Sequence, residues 1–253
     1  MEHTEENLIR RKGIYLLPNL FTTVALFCGF YAIITAIHGK FEAAAIAIFV
    51  AMIMDGLDGR VARMTNTQSD FGCQYDSLSD MVSFGLAPAL MVYLWSLSSL
   101  GKIGWFAAFV YTAGTALRLA RFNTQAEVAD KKYFQGLASP AAAAIIAGMI
   151  WVAADYNLNP KDFEIVSLII TITAGLFMVS NIRYHSFKEI DFKNKVPFLT
   201  IVGIMLAFAI IFLQPPLVLF GLFTLYGFSG PIYTLLLLKQ KRTEKKNVAN
   251  TQS

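Results

Sequence analysis

The chain has 253 residues, of which 56% are hydrophobic and 15% are charged, and its formal net charge is +4 at pH 7. Soluble domains usually carry about a quarter of their residues charged, but a chain of this length could still form one large soluble domain, so the composition alone does not decide between a soluble and a membrane protein. The small positive excess requires no nucleic-acid partner, because basic residues beside apolar segments serve as topology signals and face anionic lipid headgroups.

Eight apolar stretches follow one another along the chain, and each is long enough, or nearly so, to cross about 30 Å of hydrocarbon. They lie at 18–37, 41–59, 78–97, 103–119, 140–154, 163–181, 197–213 and 217–238. The connections are brief, and the sequence contains no low-complexity linker or repeat of fixed period. We therefore predict an all-α, polytopic transmembrane bundle of about eight helices in one domain, 1–253. A cytosolic segment at 1–15 precedes the bundle at 16–238, and a flexible basic tail follows at 239–253.

Basic residues divide unevenly between the predicted loops. If both termini are cytosolic, every lysine and arginine falls in an inner segment except Lys40, Lys102 and Lys161. The positive-inside rule expects this asymmetry. The sequence therefore predicts a multi-pass protein of the cell (inner) membrane, with both termini in the cytosol.

Acidic residues are concentrated in one short region. Asp55, Asp58, Asp70, Asp76 and Asp80 lie at the inner ends of the second and third predicted helices. An aspartate at the centre of a membrane helix costs about 2.5–3.5 kcal/mol on insertion scales, and less near the interface. We interpret Asp70 as a loop or capping residue. The other four carboxylates require something that compensates their charge.

The spacing of these four aspartates predicts how they are compensated. Asp55 and Asp58 are three residues apart and share one helix face, while Asp76 and Asp80 are four apart and share another. Small residues on both faces let the two helices approach closely. Carboxylates in such a cluster cannot all stay ionised without a cation. An all-oxygen site suits Mg²⁺ or Mn²⁺, four carboxylates suit two ions, and the lack of histidine and cysteine argues against zinc.

The same residues form a longer pattern, Asp55-x₂-Asp58-Gly59-x₂-Ala62-Arg63-x₈-Gly72-x₃-Asp76-x₃-Asp80. This pattern resembles the complete signature of the CDP-alcohol phosphatidyltransferase family. The resemblance implies a membrane helix bundle whose site opens to the cytosol. It also implies transfer of a substituted phosphate group from a CDP-activated lipid to an alcohol.

The resemblance assigns roles to individual residues. It implies that Asp55, Asp58, Asp76 and Asp80 hold two divalent cations, Mg²⁺ or Mn²⁺, and that Asp80 is also the general base. It implies that Gly59, Ala62, Arg63 and Gly72 line the CDP pocket, and that Asn19 and Thr22 of the first helix approach the nucleotide. Direct displacement is favoured, because no histidine, cysteine or serine in the motif is an obvious covalent nucleophile.

Three further segments bear on the acceptor alcohol. Segments 117–123, 134–140 and 180–188 resemble signatures of the phosphatidylserine synthase branch of the family, although Ala138 stands where relatives usually have proline. The resemblance implies CDP-diacylglycerol and L-serine as substrates, with phosphatidylserine and CMP as products. We expect Arg118 or Arg121 to bind the serine carboxylate, since a guanidinium group contacts a carboxylate with paired hydrogen bonds. Asn123 and Gln135 are expected to position the rest of the acceptor.

Other interpretations of these residues stay open. Arg118 and Arg121 also suit topology anchors, Asn123 suits a helix end and Gln135 suits a loop. Glycerol phosphate, inositol phosphate or choline are alternative acceptors for the same chemistry. A cation transporter with intramembrane carboxylate ligands is an alternative of another class, which the near absence of ionisable residues from the later helices opposes. The expected partners are the two substrates and membrane lipids, and a homodimer is left open.

Overall fold

The computed structural model describes residues 2–125, 133–185 and 198–251. In chain order its elements are α1 (Glu2–Ile37), α2 (Phe41–Thr65), α3 (Asp70–Asp80), a π-helical segment (Met81–Leu86), α4 (Ala87–Trp95), α5 (Lys102–Gln125), β1 (Tyr133–Gln135), α6 (Ser139–Asp155), α7 (Glu164–Val179), β2 (Arg183–His185), α8 (Phe198–Leu213) and α9 (Pro215–Thr251). Two 3₁₀ turns, Leu97–Leu100 and Pro160–Phe163, complete the described part. The predicted helical class is thus confirmed, with two short strands added.

Five helices in the described ranges are long and apolar enough to cross a membrane. They cover Pro18–Ile37, Asp70–Trp95, Lys102–Thr124, Pro160–Val179 and Pro215–Leu236, and a shorter apolar helix covers Ser139–Asp155. The protein is therefore membrane-embedded. Each of the eight predicted apolar stretches overlaps a helix, but the count of eight crossings and the cytosolic termini stay predictions.

Helical backbone reaches into both predicted flanking segments, since α1 begins at Glu2 and α9 continues to Thr251. Lysine and glutamate, which are common in these segments, are good helix formers. The division into domain and flanks stays a prediction. Predictions that fall on 126–132, 186–197 and 252–253, including parts of two basic loops and the last residues of the tail, lie outside the described residues.

Helices α1 and α2 form a close pair joined by a tight turn. Gly39 in this turn has a φ of 73°, a conformation that glycine adopts without steric cost. Along the pair, Ala32 of α1 and Ala44, Ala45 and Ala51 of α2 are all buried. Small side chains let two helix backbones approach, so this alanine-rich interface sets the distance between α1 and the aspartates of α2.

Helix α6 occupies the centre of the bundle. Twelve of its 17 residues are buried, including Ile146 and Ile150, because α2, α4, α7 and α9 pack around it. Beside it, α5 and α7 cross at glycines: a Cβ on Gly114 would lie 2.6 Å from the carbonyl oxygen of Gly175. The two glycines therefore allow a backbone approach that an alanine at either position would prevent.

The third predicted helix is not a regular α-helix throughout. Immediately after Asp80 the backbone changes to the π-helical segment, a form that often marks functional sites. The segment is held from both sides: Ser83 Oγ donates a hydrogen bond to the Ala25 carbonyl of α1 at 3.0 Å, and Tyr111 of α5 donates to the Phe84 carbonyl at 2.8 Å. The backbone that follows Asp80 is thus anchored on two neighbouring helices.

Strands β1 and β2 form a two-stranded antiparallel sheet, in which Phe134 is the partner of Tyr184. The all-α prediction omitted this pair, because three-residue strands are too short to produce a periodic pattern. The sheet ties the connection between α5 and α6 to the connection that follows α7. It thereby places Phe134 and Gln135 beside Arg183 and Tyr184, and these residues belong to two of the segments predicted to surround the acceptor.

Candidate active site

Three of the predicted metal ligands come together in the structure. One carboxylate oxygen from each of Asp55, Asp76 and Asp80 lies within 4.8 Å of the other two. Asp55 belongs to α2, while Asp76 and Asp80 lie one turn apart on α3. The two helix faces predicted from spacing therefore meet, and we call these three side chains the aspartate cluster.

The fourth predicted ligand, Asp58, lies beside the aspartate cluster. It is 6% exposed, and its Oδ2 accepts a hydrogen bond of 2.7 Å from the Thr22 hydroxyl group of α1. It is near enough to Asp55 and Asp76 for their negative charges to interact. Asp58 is thus held from α1, one turn of α2 beyond Asp55.

The donor set of the aspartate cluster fits a hard divalent cation. Its ligand atoms are all carboxylate oxygens, which Mg²⁺, Mn²⁺ and Ca²⁺ prefer. In the part of the chain that the structure describes, Asp76 Oδ1 is buried and has no hydrogen-bond partner. A buried polar atom without a partner is costly, and three adjacent carboxylates repel one another. A bound cation would remove both penalties.

Local sequence explains how α2 and α3 come to face each other. Asn66, which follows the end of α2, takes the left-handed conformation with a φ of 51°, and asparagine tolerates this conformation well. Ser69 then caps α3 by accepting a hydrogen bond from the Gly72 amide at 3.0 Å. Asp70 was predicted to be a loop or capping residue, but Ser69 is the cap and Asp70 is the first residue of α3, where a negative charge is favoured by the helix dipole.

The residues predicted to bind the CDP-lipid lie near this end of the bundle. A Cβ on Gly72 would be 3.5 Å from Asn19 Oδ1, and a Cβ on Gly59 would first meet the Arg63 guanidinium at 3.7 Å. Arg63 is exposed and interacts electrostatically with Asp58, while Ala62 is half-buried beside it. The structure thus places Asn19 against Gly72 and Arg63 over Gly59. Contacts of these residues with a nucleotide stay predictions.

Arg118 of α5 binds backbone of the neighbouring connection. Its Nη1 donates to the carbonyl oxygens of Gln135 at 3.2 Å and Gly136 at 3.4 Å. Arg118 also lies near enough to Asp80 for their opposite charges to attract. A guanidinium carries five N–H donors, so these two contacts leave capacity for a ligand. The structure thus brings Arg118 and the Gln135 backbone together close to the cluster, whereas the Gln135 side chain is exposed.

Arg121 and Asn123 form hydrogen bonds with other segments around the site. Arg121 Nη1 donates to the Ser180 carbonyl at 3.5 Å and to Asn181 Oδ1 at 3.4 Å. Asn123 Nδ2 donates to Ser77 Oγ at 3.0 Å. Both residues therefore contact neighbouring elements of the bundle, and their contacts with an acceptor stay predictions.

Two hydroxyl groups near the aspartates were not singled out in the sequence. Ser77 joins α3 to Asn123, and Ser79 Oγ donates to the Thr22 carbonyl of α1 at 3.1 Å. Their position between Asp76 and Asp80 could have identified them in the sequence, because a serine inside a membrane helix needs a hydrogen-bond acceptor.

Ala138 has a backbone conformation that would also suit a proline at this position. Ala138 precedes α6 with a φ of −61° and a ψ of 136°, and this φ is the one that a proline ring imposes. Pro140 in the first turn of α6 supplies rigidity next to it. Alanine therefore retains the extended conformation expected for the proline of relatives.

Comparison with known proteins agrees with this geometry. A family model described as CDP-alcohol phosphatidyltransferase matches residues 15–180. A CDP-diacylglycerol–serine O-phosphatidyltransferase from Helicobacter pylori is 36% identical over 223 residues, covering 88% of this chain and 94% of that protein. The enzyme of the same name from Bacillus subtilis is 34% identical over 178 residues, 70% of this chain and 94% of that protein. Another from Methanocaldococcus jannaschii is 38% identical over 164 residues, 65% of this chain and 71% of that protein.

The matched region includes residues 15–37 of α1, the aspartate cluster and the arginines of α5, so the similarity covers all of the predicted site residues. With its signature residues brought together in a membrane helix bundle, this chain belongs to the CDP-alcohol phosphatidyltransferase family.

Proposed function

We propose that this protein transfers the phosphatidyl group of CDP-diacylglycerol to the hydroxyl group of L-serine, giving phosphatidylserine and CMP. The observation that carries the proposal is the meeting of Asp55, Asp76 and Asp80 within 4.8 Å of one another. The names of the relatives, two of which are similar over 94% of their length, support serine as the acceptor.

The aspartates of the signature are proposed to hold two divalent cations, Mg²⁺ or Mn²⁺. Asp55, Asp76 and Asp80 are the ligands that the structure brings together, and Asp58 would complete the set from its position beside them. When bound, such ions supply positive charge that stabilises the attacking and leaving oxygens of a phosphoryl displacement.

Asp80 is proposed to act as the general base. Its carboxylate accepts the proton of the serine hydroxyl, and the serine oxygen forms a bond to the lipid-side phosphorus of the pyrophosphate. The bond from that phosphorus to the bridging oxygen breaks, and CMP leaves with the electron pair. General-base catalysis of this kind contributes about 10²–10⁴-fold to the rate. The exposed guanidinium of Arg63 is suited to bind the departing phosphate.

The charge of Arg118 restricts the chemistry of the acceptor. Because Arg118 lies near Asp80, an acceptor whose hydroxyl faces Asp80 has its other groups beside a cation. Serine, glycerol phosphate and inositol phosphate each carry an anionic group that suits this position, whereas the quaternary ammonium group of choline does not. Among the anionic acceptors, the names of the relatives favour serine.

The acceptor assignment predicts the effect of removing either arginine. We expect Arg118→Ala or Arg121→Ala to raise the KM for serine by about tenfold or more, since a hydrogen bond to a charged group contributes about 1.5–3 kcal/mol. The KM for CDP-diacylglycerol should stay unchanged. Lys102→Ala, an exposed position at the other end of α5, is the matched control. If both arginine variants keep the serine KM of the unsubstituted enzyme, the assignment is wrong.

Release of CMP by the purified protein tests the function directly. Full-length protein in detergent is incubated with CDP-diacylglycerol and with serine, glycerol phosphate, inositol phosphate or choline in turn. We expect CMP and a new phospholipid with serine alone. CMP release with a different acceptor would establish the same chemistry with another alcohol. Ion flux that is indifferent to CDP-lipid, without CMP release, would establish the transporter instead.

The site is proposed to face the cytosol from the cell (inner) membrane, where CDP-activated lipid and free serine are both accessible. The asymmetric distribution of basic residues supports this orientation, and the five long apolar helices support insertion. Arg60 and Arg63, at the end of α2 that carries the aspartates, are among the residues that the positive-inside rule assigns to this side.

A further inference from the structure

Thr22 makes a direct contact with one of the proposed cation ligands. It lies on α1, is 3% exposed, and its Oγ1 is 2.7 Å from Asp58 Oδ2. The Pro18 carbonyl oxygen is also in reach, at 3.2 Å. A hydroxyl group has a single proton to donate, and the shorter contact to a carboxylate is the stronger one. The Thr22 hydroxyl group therefore donates to Asp58.

We propose that Thr22 is a positioning residue of the cation site, which orients the Asp58 carboxylate for ion binding through this hydrogen bond. The inference rests on the proposed function, because it assumes that Asp58 binds a cation. Carboxylates that bind metal ions are themselves hydrogen-bonded by surrounding groups, and loss of such a group typically weakens metal binding 10–100-fold.

The position of Thr22 is itself well determined. Its backbone carbonyl accepts the hydrogen bond from Ser79, the residue before Asp80, and Ser79 is 2% exposed. One turn further along α1, the Ala25 carbonyl accepts the hydrogen bond from Ser83. Thr22 thus links α1 to α2 through its side chain and to α3 through its backbone. Because threonine in a helix has only two common χ1 rotamers, its hydroxyl group has a restricted range of positions relative to both aspartate-bearing helices.

This role differs from the nucleotide contact that the family resemblance implies for Thr22. A side chain that is 3% exposed has little surface for a ligand, and a hydroxyl group that donates to Asp58 has no second proton for a phosphate or a base. Asn19, one turn earlier on α1 and facing Gly72, is better placed for such a contact.

Metal binding in the absence of substrates tests the proposal. Thr22→Val replaces the hydroxyl group by a methyl group of similar shape, whereas Thr22→Ser retains it. Thr35→Val is the matched control, because Thr35 lies on the same helix, is 5% exposed and donates only to the backbone carbonyls of Tyr31 and Ala32. Free Mn²⁺ is measured by electron paramagnetic resonance during titration of the full-length protein in detergent.

We expect Thr22→Val to weaken Mn²⁺ binding about 10–100-fold, and Thr22→Ser and Thr35→Val to bind Mn²⁺ like the unsubstituted protein. In the transfer assay, Thr22→Val should need more Mn²⁺ for half-maximal rate and should regain kcat when Mn²⁺ saturates.

Three results would overturn the proposal while leaving the proposed function intact. The first is unchanged Mn²⁺ affinity in Thr22→Val. The second is an equal loss in Thr35→Val, which would indicate general destabilisation. The third is retained Mn²⁺ binding with loss of CDP-diacylglycerol binding, which would restore the nucleotide contact. If the unsubstituted protein transfers phosphatidyl groups but binds no Mn²⁺ or Mg²⁺, the cation site and this role of Thr22 fail together.

Discussion

Replacement of Asp80 by asparagine is expected to lower kcat by about 10²–10⁴-fold, the contribution of a general base. Asparagine has the shape of aspartate but cannot take the proton of the acceptor hydroxyl. Binding of CDP-diacylglycerol should be largely retained, because the residues proposed to contact the nucleotide lie on α1, α2 and the start of α3. Single-turnover release of CMP, together with equilibrium binding of CDP-diacylglycerol, separates the two effects.

Asp70→Asn is the matched control for this experiment. Asp70 is on the same helix and is exposed, but it lies at the helix start, outside the aspartate cluster. Its replacement removes the same charge and should leave kcat near that of the unsubstituted enzyme. A loss of CDP-diacylglycerol binding in Asp80→Asn as large as the loss of rate would contradict the role of Asp80 as the base.

Replacement of Asp55 by alanine is expected to remove the metal dependence together with the activity. Asp55 is the contribution of α2 to the aspartate cluster, so its loss leaves only the two ligands of α3 in that group. We expect the rate to fall by at least about 10²-fold, the size of effect typical for loss of one electrostatic contribution in an active site. The residual rate should no longer respond to added Mg²⁺ or Mn²⁺.

The stability of the metal-free protein distinguishes loss of the cation from loss of the fold. The charge of Asp58 repels Asp55, and the charge of Asp55 in turn repels Asp76 and Asp80, so in the presence of chelator Asp55→Ala should unfold at a temperature no lower than the unsubstituted protein. Glu42→Ala, an exposed acid at the other end of α2, serves as the control and should keep full activity. Full activity and an unchanged response to Mg²⁺ in Asp55→Ala would exclude the cluster as the cation site.

The spacing of the aspartates predicted the centre of the site because that prediction depends on local geometry. Residues three or four apart lie on one helix face whatever surrounds the helix, so Asp76 and Asp80 had to share a face once α3 formed. The cost of carboxylates in a membrane then required the two acidic faces to meet a common compensating charge. The structure brings Asp55 to Asp76 and Asp80 as this reasoning expects.

The spacing of the aspartates could not predict that Asp55 and Asp58 have different surroundings. Spacing treats Asp55 and Asp58 alike, whereas the structure puts Asp55 in the cluster and Asp58 against Thr22, which is 36 positions away in the sequence. Which oxygen meets which hydroxyl depends on how far α1 and α2 are rotated about their axes. Buried alanines such as Ala32 and Ala44 let α1 and α2 pack closely, but the positions of these alanines in the sequence do not specify how far either helix is rotated about its axis.

The apolar surroundings of the chain, the positions of its helices and the meeting of its aspartates were thus all predictable from local patterns. Long apolar runs must become helices in a membrane, because no water is present there to satisfy the backbone, and clustered carboxylates must be compensated. Local patterns did not predict the π-helical segment after Asp80, the contact of Thr22 with Asp58 or the attachment of Arg118 to the end of β1. These features depend on contacts between residues far apart in the chain, and their geometry is set by the packing of whole helices rather than by any short pattern.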